Sequence, residues 1–385
     1  MDPKKWNFLL LLYVTTLTFA TMYSPQPLLS TIHAEYPQHS GSTIALLMAV
    51  TLMPLSIAPL IYGSYLSSFD TRHVLLVCTA LLAVGGWGLY FFQSFSILLA
   101  VRAMQGLVIP AMLTCLMAQI SGKFQGTELQ RAMSIYVGIT ILGGVVGRVL
   151  CGGVATWVGW RYSFLVLSVA LLLALIPLWR MNSCAKPHIA HVRLSEFVGI
   201  IRTPGIGALL IIEACGLFIY SAVSNYLPFR ITEIGSGVSE WRIGLMYLGN
   251  VIGVFMAFGS RWFIHTMGSE VRAIRLGLCV LLCALPGLLT HNLWALFLAM
   301  CAMSMGEFLA HSISPGLINR MTLCDKAAVN GLYLSVYYMG GALGSYLPGL
   351  VYGLWGWVVF TALLMVVMFI GIMCTRGLGR HIPHI

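Results

Sequence analysis

The chain has 385 residues, of which 59% are apolar and only 8% charged, with 21 Lys and Arg against 11 Asp and Glu. Soluble domains carry roughly 25% charged residues, so a soluble enzyme is excluded, and the 40 glycines follow no fibre-like triplet period. The composition is that of an integral membrane protein.

A membrane-crossing helix needs about 20 mainly apolar residues. In chain order the sequence predicts twelve, near 6–31, 43–66, 73–92, 95–120, 131–157, 160–180, 206–229, 241–264, 272–290, 293–314, 326–352 and 355–375. The first follows Met1-Asp2-Pro3-Lys4-Lys5 and superficially suits a signal peptide. Its apolar run exceeds the roughly 7–15 residues of a signal core, and Gln26 stands between Pro25 and Pro27 where a small-residue cleavage site would be needed. It is read as a retained span. The ten cysteines are scattered without metal-site spacing, so neither a metal site nor disulfides are expected.

Loop charges predict the orientation, because Lys and Arg are retained on the cytoplasmic side. With the N-terminus inside, the cytoplasmic segments hold Lys4, Lys5, Arg72, Lys123, Arg131, Arg180, Lys186, Arg193, Arg202, Arg261, Arg272, Arg275, Arg320, Lys326, Arg376 and Arg380, against Arg161, Arg230 and Arg242 outside. A division of 16 to 3 places both termini in the cytoplasm and accounts for the net charge of +10 without a nucleic-acid partner.

The longest polar stretch, 181–205, divides the spans into residues 1–180 and 206–385. An offset of 197 residues aligns Tyr136 with Tyr333, Gly143-Gly144 with Gly340-Gly341, Gly147 with Gly344, Gly152 with Gly349, and Gly159-Trp160 with Gly356-Trp357. Spans 5 and 11 are therefore equivalent elements of two parallel six-helix halves. The expected fold is an all-α membrane protein of two pseudo-symmetric six-helix bundles, the architecture of rocking-bundle carriers. Gly143, Gly147, Gly340 and Gly344 are small-xxx-small pairs, which either pack helices closely or let the halves slide.

Four passages carry a family resemblance: Tyr23-Ser24-Pro25-Gln26-Pro27 in span 1, Arg102-Ala103-Met104-Gln105-Gly106 in span 4, Gly143 to Gly153 leading into Gly159-Trp160-Arg161 in span 5, and Gly306-Glu307-Phe308-Leu309-Ala310-His311 with Gly331 to Gly341 in spans 10 and 11. On these the chain resembles the major facilitator superfamily along its whole length, and most closely its bacterial twelve-span drug- or sugar-efflux type. It departs from that pattern twice. In the loop after span 2, Gly63 and Arg72 fit, but Ser67 replaces the acid and Asp70 follows three residues later. In the span 5 antiporter motif, Gly144 replaces a proline and Arg148 the last glycine.

A charge within a span costs about 2.5–3.5 kcal/mol on insertion scales and marks a functional candidate. Arg102 either organises helices through backbone carbonyls and Gln105 or takes part in proton coupling. Arg148 aligns with Ser345 in the repeat, so the fold does not require arginine there; its forked donors suit a planar anion, against a packing role. Glu307 and His311, at i and i+4, share a helix face and with Glu213 are the proton-coupling candidates. Gln26, Tyr23, Tyr220, Asn225, Tyr333 and Tyr337 complete the candidate substrate contacts with Arg148, Arg102 and Gln105.

The resemblance implies a bacterial inner-membrane secondary transporter that works as a monomer, without a cofactor, exporting a small organic solute by proton antiport. Uptake of an anionic metabolite or a carboxylate-type metal chelate is the alternative. A membrane enzyme is disfavoured by the absence of a His-Glu-x-x-His or a glycine-rich nucleotide loop.

Overall fold

The computed structural model describes residues 3–66, 69–181, 194–235, 237–322 and 326–378, and all regular structure among them is helical. Residues 182–193 of the predicted linker, including Lys186 and Arg193, lie outside the described residues, as does Ser67. Without water in the bilayer core every backbone group must be bonded internally, and the apolar segments satisfy this as helices. Buried hydroxyls follow the same constraint: Thr15, Thr18, Thr51 and Thr79 each donate to the carbonyl four residues back.

The first half comprises α1 (Pro3–Tyr23), a 3-10 turn at Gln26–Leu28, α2 (Leu29–Glu35), α3 (Gly41–Leu66), α4 (Thr71–Phe91), α5 (Phe95–Ser121), α6 (Gly126–Val158) and α7 (Trp160–Arg180). A short helix α8 (Leu194–Arg202) follows, so the stretch expected to be a plain polar linker contains an amphipathic turn that buries Phe197 and Ile200. The second half comprises α9 (Ile206–Ile234), α10 (Glu240–Met246), α11 (Ile252–Met267), α12 (Glu270–Ala284), α13 (Leu293–Met321) and α14 (Lys326–Leu378).

Each predicted span has its counterpart. Spans 1, 8 and 9 are interrupted or ended by 3-10 turns, the first and last of these containing Pro27 and Pro286, which lack the N–H an α-helix needs. Spans 11 and 12 are the two arms of α14, reversed at Gly356 with φ 79° and ψ −179°. Its repeat mate Gly159, with φ 111°, reverses the chain between α6 and α7. A side chain is strained in this region, so these two loopless reversals account for one of the glycine pairings read from the sequence.

Short connections alternate the helix ends between two faces. On the basic-loop face Arg72 donates to the Trp179 carbonyl and Arg320 pairs with Glu270. On the opposite face Glu35 accepts from Trp160 at 2.6 Å and from Arg161 at 2.7 Å, and in the second half Tyr352 donates to Glu233. Trp6, Trp179 and Trp262 near the first face, and Trp157, Trp294 and Trp355 near the second, are each more than half exposed. Two such rings are the aromatic belts of a membrane protein.

The glycine pairs pack inside each half. A Cβ on Gly143 or Gly147 would strike the backbone of Thr16 or Ala20 on α1; one on Gly340 or Gly344 would strike Ala214 or Phe218 on α9. The same contact is thus made twice, between α1 and α6 and between α9 and α14. Sliding between the halves is not what these four glycines serve. The halves meet instead along α3 with α14 and α6 with α10.

Gly344→Ala should cost about 1–3 kcal/mol through overpacking and lower the melting temperature in detergent. Gly353→Ala, with nothing within 4 Å of its added methyl, should leave the melting temperature unchanged or raise it slightly. Equal melting of the two variants would remove backbone approach as the reason for glycine at 344.

Candidate functional site

The two intramembrane arginines have different surroundings. Arg102 is fully buried. Its Nε donates to the Leu47 carbonyl (3.1 Å), Nη1 to the Thr21 carbonyl (3.1 Å) and to Gln105 Oε1 (2.8 Å), and Nη2 to the Met22 carbonyl (2.8 Å). In a continuous helix the Thr21 carbonyl would accept from residue 25, which is proline. Arg102 therefore caps the broken end of α1 and ties it to α3 and α5. The structure brings neither Arg102 nor Gln105 to a cavity: both are at 0% exposure with their polar groups engaged.

Arg148, 2% exposed, is held differently. Its Nε donates to Gln26 Oε1 at 2.5 Å, and its guanidinium lies over the Tyr23 ring at 4.2 Å and the Tyr247 ring at 5.1 Å. Tyr23 belongs to the first half and Tyr247, whose hydroxyl donates to the Ser224 carbonyl at 2.6 Å, to the second. Among the described residues no carboxylate lies within 4 Å of Arg148 and its Nη atoms have no hydrogen-bond partner. A Cβ at Gly144 would come within 3.0 Å of Tyr23 and 3.1 Å of Arg148 Nη1. The two departures in the span 5 motif are thus one structural change: glycine makes the room that the arginine occupies.

The acids gather in the second half. Glu213 Oε1 accepts from Ser314 at 2.6 Å, and Oε2 accepts from Tyr333 at 2.6 Å and lies 3.1 Å from His311 Nδ1. Glu307 accepts from Tyr337 at 3.4 Å, and Gly216 leaves the space its carboxylate fills. The His311 ring stacks on Tyr337 with centroids 4.2 Å apart. Both carboxylates are 2% exposed, while the His311 side chain is 26% exposed.

These groups are ordered by α9. Glu213, Gly216, Tyr220 and Ser224 recur at three or four residues and so share one helix face, with Asn225 at its end. Tyr220 packs edge-on against Phe308 and lies within electrostatic reach of both Arg148 and Glu307. Gln26 Nε2 then donates to Asn225 Oδ1 at 2.7 Å, joining the halves. Beyond it Glu240 accepts from Thr31 at 2.8 Å and from Thr156 at 3.2 Å, and Trp157 stacks on Trp241. This clasp closes the end opposite the basic loops.

Sequence reasoning missed Ser314, Tyr247, Glu240, Thr31 and Thr156. Only Glu240 carried a signal, as an acid in the first turn of a span. Of the residues assigned to gating, Asp70 caps α4 by accepting from the Arg72 backbone at 2.8 Å and lies 3.3 Å from His73. Gly63 falls within α3.

A sequence profile described as Major Facilitator Superfamily matches residues 11–322. The chain belongs to the major facilitator superfamily. It is 23% identical to the MFS-type transporter YybF of Bacillus subtilis, covering 95% of this chain and 91% of the relative. It is 23% identical to the inner membrane transport protein YnfM of Escherichia coli (95% and 88% covered) and 24% identical to a chloramphenicol resistance protein of Pseudomonas aeruginosa (89% and 85% covered). A bacterial homologue of the human lysosomal transporter Spinster, in an inward-facing and unoccupied conformation, shares the fold with a TM-score of 0.82 at 13% identity, over 99% of this chain and 98% of that one. As a member of this superfamily the chain is a multi-pass membrane transporter and not an enzyme.

For this transporter the two arginines should separate in a stability assay. Arg102→Met removes the hydrogen bonds to the Thr21, Met22 and Leu47 carbonyls and to Gln105, and bonds to a charged donor are worth about 1.5–3 kcal/mol each, so it should lower thermal stability sharply. Arg148→Ser, which copies its repeat mate, should melt close to the wild type. Comparable melting of both variants would contradict the assignment of Arg102 as the cap of α1.

Proposed function

We propose that this transporter moves a small organic anion across a bacterial inner membrane by alternating access, coupled to protons, with both termini in the cytoplasm. Arg148 is the observation that carries the reading. A guanidinium stays charged at any physiological pH, and burying it without a counter-ion costs several kcal/mol. The guanidinium lies over the Tyr23 and Tyr247 rings and its Nε is taken by Gln26. The Nη edge is left, and that edge matches a carboxylate or phosphate in its own plane. Tyr220, Phe308 and Tyr337 offer apolar walls for the rest of the solute.

Glu213, His311 and Glu307 are the proton-handling groups of this reading. His311 is the member with exposure, and its ring contacts both Tyr333 and Tyr337, whose hydroxyls reach the two carboxylates. The rocking units are residues 1–180 and 206–385. The clasp at Gln26–Asn225 and Glu240 supports a state open toward the basic-loop face, which the loop charges assign to the cytoplasm. Export is what the likeness to efflux-type carriers suggests. Arg148 suits equally the alternative, uptake of an anionic metabolite or carboxylate chelate, because the charge of the site selects the cargo while the gradients set the direction.

Two outcomes test this. In vesicles, Arg148→Ser should reduce movement of carboxylate solutes at least tenfold more than that of neutral analogues; equal losses would assign Arg148 to packing. Single cysteines placed at Lys123 and at Arg202 should react with a membrane-impermeant reagent only from the cytoplasmic side, and labelling from outside would reverse the topology.

A further inference from the structure

At the basic-loop face, away from the central arginines, the ends of α12 and α14 bring three further arginines together. Arg275, half-buried, crosses between the helices: its Nε donates to Thr375 Oγ1 at 2.8 Å and its Nη2 to the Thr375 carbonyl at 3.4 Å. Arg376 is the next residue on α14 and is exposed. Arg272 lies three residues before Arg275, on the same side of α12. It is exposed and donates to the Met267 carbonyl at 3.3 Å. Among the described residues no carboxylate lies within 4 Å of any of the three, because Glu270, the acid of that helix end, is taken by Arg320 of α13. Retention of cations on one side of the membrane accounts for their sign. It does not account for their convergence, since like charges repel.

Toward the bilayer centre the same two helices present apolar surface. Phe369 lies two turns before Arg376 on the same side of α14 and is 55% exposed, and Ile370 beside it is 49% exposed. On α12, Cys279 and Cys283 continue the line of Arg272 and Arg275, and Cys283 is exposed. A cationic cluster thus caps an apolar surface that faces acyl chains.

We propose that the basic-loop ends of α12 and α14 form a binding site for one anionic phospholipid, with its phosphate on Arg272, Arg275 and Arg376 and its chains along the outer faces of the two helices. The charges are complementary, and a guanidinium fork matches the oxygens of a phosphodiester. Basic clusters between membrane helices at that face are the kind that take anionic headgroups. Arg275 is already oriented by Thr375, so little side-chain freedom is lost when the phosphate arrives. A free phosphate would use the arginines alone, whereas a lipid also covers Phe369, Ile370 and Cys283. Bound there, the lipid bridges spans 9 and 12 of the second half, adding to the single side chain, Arg275, that ties their ends.

Native mass spectrometry of the full-length protein in detergent tests this by titration with phosphatidylglycerol and with phosphatidylcholine of the same chains. The wild type should hold one phosphatidylglycerol at least roughly tenfold more tightly than phosphatidylcholine. Arg272→Gln with Arg376→Gln, which leaves the Arg275 bonds to Thr375 in place, should lose that preference. Arg272→Lys with Arg376→Lys should keep most of it, which separates lost charge from lost fold. Arg131→Gln with Arg180→Gln removes as much charge elsewhere on the same face and should leave the preference intact. Equal losses in the two neutralised pairs would assign the attraction to the net charge of the face and overturn the site, as would a wild type that binds both lipids alike. Glycerol phosphate that binds as tightly as the lipid would replace the lipid with a soluble phosphoester and overturn the proposal as well.

Discussion

The structure depends on how one broken helix end is held. Pro25 and Pro27 stop α1 at Tyr23, leaving carbonyls in an apolar interior where an unpaired backbone group is costly. The Arg102 guanidinium takes the Thr21 and Met22 carbonyls and reaches across to Leu47. The break can then persist within the membrane, and Gln26, in the turn beyond it, projects between the halves. From there its Oε1 holds Arg148 and its Nε2 holds Asn225 of the other half. The functional centre and the closed clasp thus both hang on a cap that touches neither.

Arg102 and Arg148 show how context divides one residue type into two roles. Both cost energy to place in lipid. Arg102 recovers that cost in carbonyl dipoles that the fold supplies permanently, and nothing is left over for a ligand. Arg148 recovers only part of it, through one amide and two tyrosine faces. What remains open on it is directional and charged, which is the property a binding site needs and a packing residue lacks.

Much of the fold was legible in the sequence because hydropathy and repetition are properties of the chain alone. The twelve spans follow from apolar length, and the 197-residue offset correctly pairs Gly143 and Gly147 with Gly340 and Gly344. The offset could not say which surface those glycines meet, and they meet α1 and α9 within the halves. The two arginines could not be told apart either, since the partners that satisfy Arg102 are carbonyls, which no letter of the sequence records. Contacts such as Thr31 with Glu240, 209 residues apart, follow no period. Gln26 and Asn225 were each chosen as polar residues within spans, but their direct bond emerges only when the halves are assembled.

The make-up of the clasp bears on how such a molecule can move. Across the closed end the halves are joined by the Gln26–Asn225 bond, by Glu240 to Thr31 and Thr156, and by stacked Trp157 and Trp241. A net hydrogen bond contributes only about 0.5–1.5 kcal/mol, so the set is worth a few kcal/mol and water can take its place when the end opens. A solute that binds the two states unequally by a similar amount is enough to move the population from one to the other. Gly152 of α6 against Glu240 and Gly244 of α10 adds one close backbone contact at this end, while within each half Arg102 and the α1–α6 and α9–α14 glycine seams hold the helices together. Alternating access requires halves that stay intact while the contacts across one end break, and in this chain Gln26 ties Arg148 directly to the bond with Asn225 that crosses that end.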